Sequence, residues 1–398
     1  VFLSKWSGWR HLAAGIAIVL LLGEILLRIV AATVPGARQL LAPRSCYTAG
    51  EYRDISSLKD LVAASPLSLP PHGNLFGFTL NSSGLRTGKY AAERRPGTFR
   101  FVVIGDSYFF EAGSVPDSMH VVTRLGARLA HRMASEVINL AVPGANPEFY
   151  LRMLELEGCR LNPDVVLVEL SIGSDLAYLE TAEPFFPSEG LHMSRFWTLR
   201  LVNGIYRYAT GAGDKRFSWG KPGKSRAGGI GGRATDYPGE WPPKPPMTRA
   251  DWWRMHEEGA RMFRSSWEGG MKQAWSLTAD TYGAIAETAN RAGIPLLVVL
   301  IPGEVQVSPS LQAILRREFP AEALDFDVPN KIINEFCRAE NIQVLDLLPV
   351  FRKASARGDI LFMPRDANWN PLGQAIAAGA IAERLEKMAP HPRRTGNN

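Results

Sequence analysis

The sequence predicts an α/β fold, with a parallel sheet sandwiched between two layers of helices. Runs of β-branched and aromatic residues recur at 101–104, Val137–Val142, Asp164–Leu170, Pro295–Ile301 and Ile342–Leu347. Helix-period segments such as 118–134 and 147–158 stand between most of them. Strands alternating with helices build parallel sheets covered on both faces and joined by right-handed crossovers. A hydrophobic content of 46% with 21% charged residues describes a globular chain. Its 398 residues hold one large α/β domain with additions, or two domains.

Taken in order, residues 1–11 form a short N-terminus carrying Lys5 and Arg10. Residues 12–34 are apolar, and their 23 residues at about 1.5 Å each cross about 30 Å of hydrocarbon. The expectation is a transmembrane helix in the cytoplasmic membrane, and the positive-inside rule puts residues 1–11 in the cytoplasm and the main domain on the periplasmic side. A cleaved signal peptide and an ordinary helix are the alternatives. Glu24 and Arg28 stand at i, i+4 inside the apolar run, where each charge costs roughly 2.5–3.5 kcal/mol. The two can pair, and such a pair hints at a partner helix from another membrane protein.

Residues 35–97 are rich in turn residues and read as an extracytoplasmic lead-in packed on the domain. The domain itself is expected over 98–388, closed by a helix at Leu372–Met388 and followed by a tail at 389–398. An insertion at about 187–275 breaks the alternation. It holds seven of the ten tryptophans, and within 211–250 nine glycines, six prolines and eight Lys/Arg against three acids. The net charge of +6 is therefore concentrated in a loop, which argues against a nucleic-acid-binding domain. The tryptophans can pack on the domain, on a membrane or partner protein, or on a sugar chain. Cys46, Cys159 and Cys337 lie far apart, and their odd number excludes a complete disulfide framework. No P-loop, dinucleotide fingerprint or zinc spacing occurs, so neither a cofactor nor a metal is expected.

The chemistry centres on FVVIGDSYFFEAG at 101–113. A buried strand breaks at Gly105 into Asp106 and Ser107, and open α/β sheets put their ligands at that end of a strand. Gly105-Asp106-Ser107, NLAVPGANP (139–147), SIGSDL (171–176) and DANWNPLG (366–373) together resemble the four ordered blocks of the SGNH, or GDSL, hydrolase superfamily. The similarity spans roughly 82–388 apart from the insertion, and extends to a subgroup with one N-terminal membrane anchor associated with envelope polysaccharides. It implies a three-layer, flavodoxin-like SGNH-hydrolase fold. It also implies that Ser107 is the nucleophile, that Ser107, Gly144 and the block-three side chain form the oxyanion hole, and that Asp366 supports a histidine base.

Two positions depart from that pattern. Ser174 stands where the family has asparagine, and Asn368 stands where it has histidine. A serine can still donate one hydrogen bond, and losing such a donor costs about 10²–10³ in rate. An asparagine has no titratable nitrogen and cannot accept the serine proton. His120, His72, His192 and His256 are possible substitutes as base, whereas His11, at the membrane boundary, and His391, in the tail, are poorly placed. Asp106 is expected to bond turn N–H groups and Asp175 to brace the block-three loop. Glu169 is expected to pair with a buried arginine or to point outward. Two functions follow: a catalytically impaired binding or scaffolding subunit of an envelope assembly, or an active serine esterase or O-acyltransferase on envelope glycans or lipids.

Overall fold

The computed structural model describes residues 15, 21–26, 52, 55–64, 71–75, 78–110, 115–176 and 247–388. They fall into two units, one within 1–54 and 181–218, the other within 55–180 and 219–398. In the first, residues 21–26 are helical, with Glu24 buried and Leu21, Leu22, Ile25 and Leu26 exposed. Arg28 and most of 12–34 lie outside the described residues. Among the described residues no helix is long and apolar enough to cross a membrane.

The second unit holds five parallel strands: β1 (Phe99–Ile104), β2 (Ser135–Asn139), β3 (Val165–Ser171), β4 (Leu296–Ile301) and β5 (Gln343–Asp346). Their spatial order is β2-β1-β3-β4-β5. Every residue of β3 and β4 is buried, as expected of strands covered on both faces. All five expected strands form. The second ends earlier than its apolar run because Leu140–Val142 leave the ladder as a loop, although Leu140 N–H still donates to Val103 O (2.8 Å) and Val142 N–H to Gly105 O (3.0 Å). That loop travels beside the serine turn and continues into Gly144.

In chain order the helices used below are α1 (Ser107–Phe110), α2 (Val121–Ala130), α3 (Pro147–Met153), α4 (Arg249–Gly259), α5 (Gly269–Arg291), α6 (Glu304–Val307) and α7 (Pro371–Met388). Helix α5 buries Met271, Ala274, Thr278, Tyr282, Ile285 and Ala289, a stripe at helical spacing that faces the core. It begins inside the stretch read as an insertion, of which 187–246 lie outside the described residues. Trp267 is buried with its Nε1–H on Met262 O (2.8 Å), and Trp275 meets both Trp267 and Phe336 edge-on. These two tryptophans pack on the domain itself.

At the far, amino end of β1 the buried Arg100 guanidinium donates to Glu136 and to the carbonyls of Ala92, Glu93 and Leu161. With its donors spent on the lead-in and the neighbouring strand, this charge is paired as burial requires.

Candidate functional site

The carboxyl edge of the sheet collects the residues singled out in the sequence. Ser107 opens α1 three residues beyond β1. A side chain at Gly105 would put its Cβ 2.3 Å from Glu169 Oε2, so only glycine lets the chain pass over β3 here. Glu169 neither pairs with an arginine nor points outward, contrary to expectation. It is fully buried under the turn, and its Oε2 accepts the Asp106 N–H at 3.0 Å. Burial, and then the Asp106 charge, push the Glu169 carboxyl well above the usual range.

Asp106 does more than hold the Tyr108 N–H (3.2 Å). Its Oδ1 accepts from Ser107 Oγ at 3.3 Å and its Oδ2 from Ser174 Oγ at 3.2 Å. One carboxylate therefore accepts hydrogen bonds from both site hydroxyls. Asp175 braces the block-three loop as expected: its Oδ2 accepts Ser171 N–H (2.8 Å) and its Oδ1 the Tyr150 hydroxyl (3.3 Å). Burial and the Asp106 charge raise its carboxyl too.

The two residues expected to supply backbone donors to an oxyanion hole, Ser107 and Gly144, lie in the described structure. Gly144 adopts φ 73°, which glycine enters without strain, and is exposed. No described residue accepts the N–H of Ser107 or Gly144. Asn146 caps α3 by accepting Phe149 N–H (2.9 Å), which fixes the end of this loop.

The one-turn helix α1 is held at its other end by side chains. Arg86 donates to Phe110 O (2.6 Å) and Asn139 to Phe109 O (2.8 Å), with the His120 imidazole buried nearby. The first two fill orphan acceptors of a short helix terminus. His120 is 1% exposed, and burial together with Arg86 pushes it well below its ordinary value, so it is a neutral structural group. Sequence reasoning missed Arg86 and Asn139, which carry no signature beyond polarity.

Opposite stands the loop of Asp366 and Asn368. Asn368 is 6% exposed, and both its N–H (3.0 Å) and its Nδ2 (2.9 Å) donate to Asp366 Oδ1. The amide thus makes the bond that an imidazole Nδ1–H would make to a supporting carboxylate, and offers nothing basic beyond it. Tyr108 joins the two loops: its hydroxyl donates to Ala367 O (2.8 Å) and its ring lies 4.7 Å from that of Trp369. Burial, and then the charges of Asp106, Glu169, Asp366 and Glu304, hold the Tyr108 hydroxyl well above its ordinary value. Among the described residues no histidine bonds Ser107. Of the other histidines considered, His72 lies in the lead-in at φ 58°, and His192 lies outside the described residues. His256, on α4, sits with its Nε2 3.6 Å from Glu304 Oε2. No group of side chains suited to a metal occurs among the described residues.

Residues 268–397 match the family model described as the SGNH hydrolase-like domain of the acetyltransferase AlgX. This is an SGNH-hydrolase-like domain. Over 105 residues the chain is 29% identical to the probable alginate O-acetylase AlgJ of Pseudomonas putida, covering 26% of each protein, so it spans about a quarter of that relative's length. Among solved structures, TesA is 12% identical (73% of this chain, 99% of that one, TM-score 0.35). The acetyl xylan esterase AlAXEase is 13% identical (72% and 100%, TM-score 0.36). The family-model match includes the Asp366–Asn368 loop but not Ser107.

Proposed function

We propose that this SGNH-hydrolase-like domain is a catalytically impaired member that binds an envelope glycan and serves as a subunit of a membrane or envelope assembly. The observation that carries the proposal is the Asp366–Asn368 pair: the base position is filled by an amide bonded to the carboxylate that would support a base. Both site hydroxyls donate hydrogen bonds to Asp106, and among the described residues no imidazole accepts one from Ser107. Removing the base from a serine triad costs on the order of 10⁶ in kcat in a subtilisin-type site, so what remains is a polar pocket without turnover. The relation to O-acetylases supports a glycan as the ligand and the periplasm as the place; the apolar 12–34 stretch would supply the anchor.

A fluorophosphonate probe tests this on the purified protein, with Ser107→Ala and Asn368→His beside it. The expected outcome is labelling of Asn368→His alone. Labelling of the unaltered protein that disappears in Ser107→Ala overturns the reading and favours an active esterase or O-acyltransferase. One feature speaks for that second reading. His256 and Glu304 form a histidine–carboxylate pair on the same edge of the sheet as Ser107.

A further inference from the structure

Helix α6 begins at Glu304, three residues beyond β4, as Ser107 begins α1 three residues beyond β1. The strands are parallel, so both residues stand on one edge, and the Glu304 charge reaches the Tyr108 hydroxyl beside the serine. Helix α4 lays two side chains on Glu304. Trp252 Nε1–H donates to its Oε2 at 3.2 Å, and His256 Nε2 approaches the same oxygen at 3.6 Å. The indole and imidazole meet edge-on at 4.6 Å.

This trio is incompletely satisfied by the protein. His256 is 6% exposed, and its Nε2 makes no hydrogen bond. Glu304 Oε1 accepts none among the described residues, although its side chain is reachable at 20% exposure. Trp252 is half-buried. A buried nitrogen without a partner is costly; the groups of the trio open to a ligand are the Glu304 carboxylate and the half-buried Trp252. An indole beside a carboxylate and an imidazole matches a ligand with one apolar face and a rim of hydroxyl groups, which is the surface of a pyranose ring. The carboxylate also sets a charge preference. It accepts hydroxyl protons but repels a second carboxylate brought within a few ångströms.

We infer that Trp252, His256 and Glu304 form a subsite for a neutral sugar residue on the edge that carries Ser107, one that discriminates against uronate polymers. The inference rests on the glycan-binding reading above and sharpens it: the glycan is a neutral one, unlike the alginate in the relative's name.

Isothermal titration of the full chain with chitohexaose, cellohexaose and a mannuronate hexamer tests it. At least one neutral hexamer is expected to bind more tightly than the mannuronate hexamer. Trp252→Ala should weaken that binding about 10-fold or more, as for an aromatic anchor. Glu304→Gln, which keeps the indole bond, should narrow the neutral-over-uronate preference about fivefold or more. Preferential binding of the mannuronate hexamer, an absence of neutral binding, or unchanged affinities and preference in both variants overturns the inference. Fluorophosphonate labelling of the same preparations judges the impaired-site reading separately. A labelled protein that keeps the Trp252- and Glu304-dependent preference retains the subsite and loses only the impairment.

Discussion

The serine turn and the Asp366–Asn368 loop are joined through Tyr108 and are both held by hydrogen bonds, yet they differ in what they can do. Around Ser107 the backbone is pinned from below by Glu169 and from behind by Arg86 and Asn139. The opposite loop is pinned as firmly, through Asp366 and through the Tyr108 contacts to Ala367 and Trp369. Only the second carries an amide, Asn368, where the pattern it resembles has an imidazole. Positioning and proton transfer are separable properties: the bond to Asp366 is made by a group that cannot accept a proton.

The comparison is broken most sharply by Asn368→His. If the loop is otherwise intact, the imidazole takes over the bond to Asp366, and fluorophosphonate labelling of Ser107 should rise by at least about 10², the lower range of general-base catalysis. A silent Asn368→His would mean that the two loops are not aligned for proton transfer. Next in size is Gly105→Ala, whose Cβ would meet Glu169 Oε2 at 2.3 Å. Overpacking of this kind should cost about 1–3 kcal/mol in urea unfolding, partly recovered when Glu169 is also shortened to alanine.

Asn139→Ala should then cost about 1–3 kcal/mol, because it leaves the Phe109 carbonyl and the Ala141 N–H short of a partner. It should also loosen α1 first, visible as faster amide exchange over 107–110, while exchange near Asp366 is unchanged. The smallest effect is one of pH. Glu169 is held above its ordinary value of 4.5, so the folded protein keeps a proton that the unfolded chain releases. Its contribution is fully present below that value and is lost as the pH rises through the folded value. Glu169→Gln should remove that slope, gaining stability relative to the unaltered protein between pH 5 and 8. The reverse trend would mean that Glu169 folds ionised.

Much of this was legible in the residues. The five apolar runs gave five strands because a strand buried on both faces must be apolar throughout, a pattern with few imitators. Ser107, Gly144, Ser174, Asp366 and Asn368 all lie in loops or helix starts around the carboxyl edge, as their positions in the motifs implied. Glu169 was misread because one carboxylate in an apolar strand looks the same whether it meets an arginine or a glycine. Arg86 and Asn139 were missed because their partners are carbonyls of α1, 24 and 30 residues away, and a carbonyl leaves no mark in the sequence.

What the sequence determined by itself was the order of the elements and the identity of the chemical groups. The absence of a nitrogen base at 368 is a covalent fact that no packing can reverse. Tertiary structure alone decided which groups share a carboxylate. The protons of Ser107 and Ser174 meet on Asp106, and Trp252 and His256 meet on Glu304, 52 and 48 residues along the chain. Those meetings depend on where strands end and helices begin in three dimensions. Hydrogen bonds reach about 3 Å in space whatever the separation in sequence.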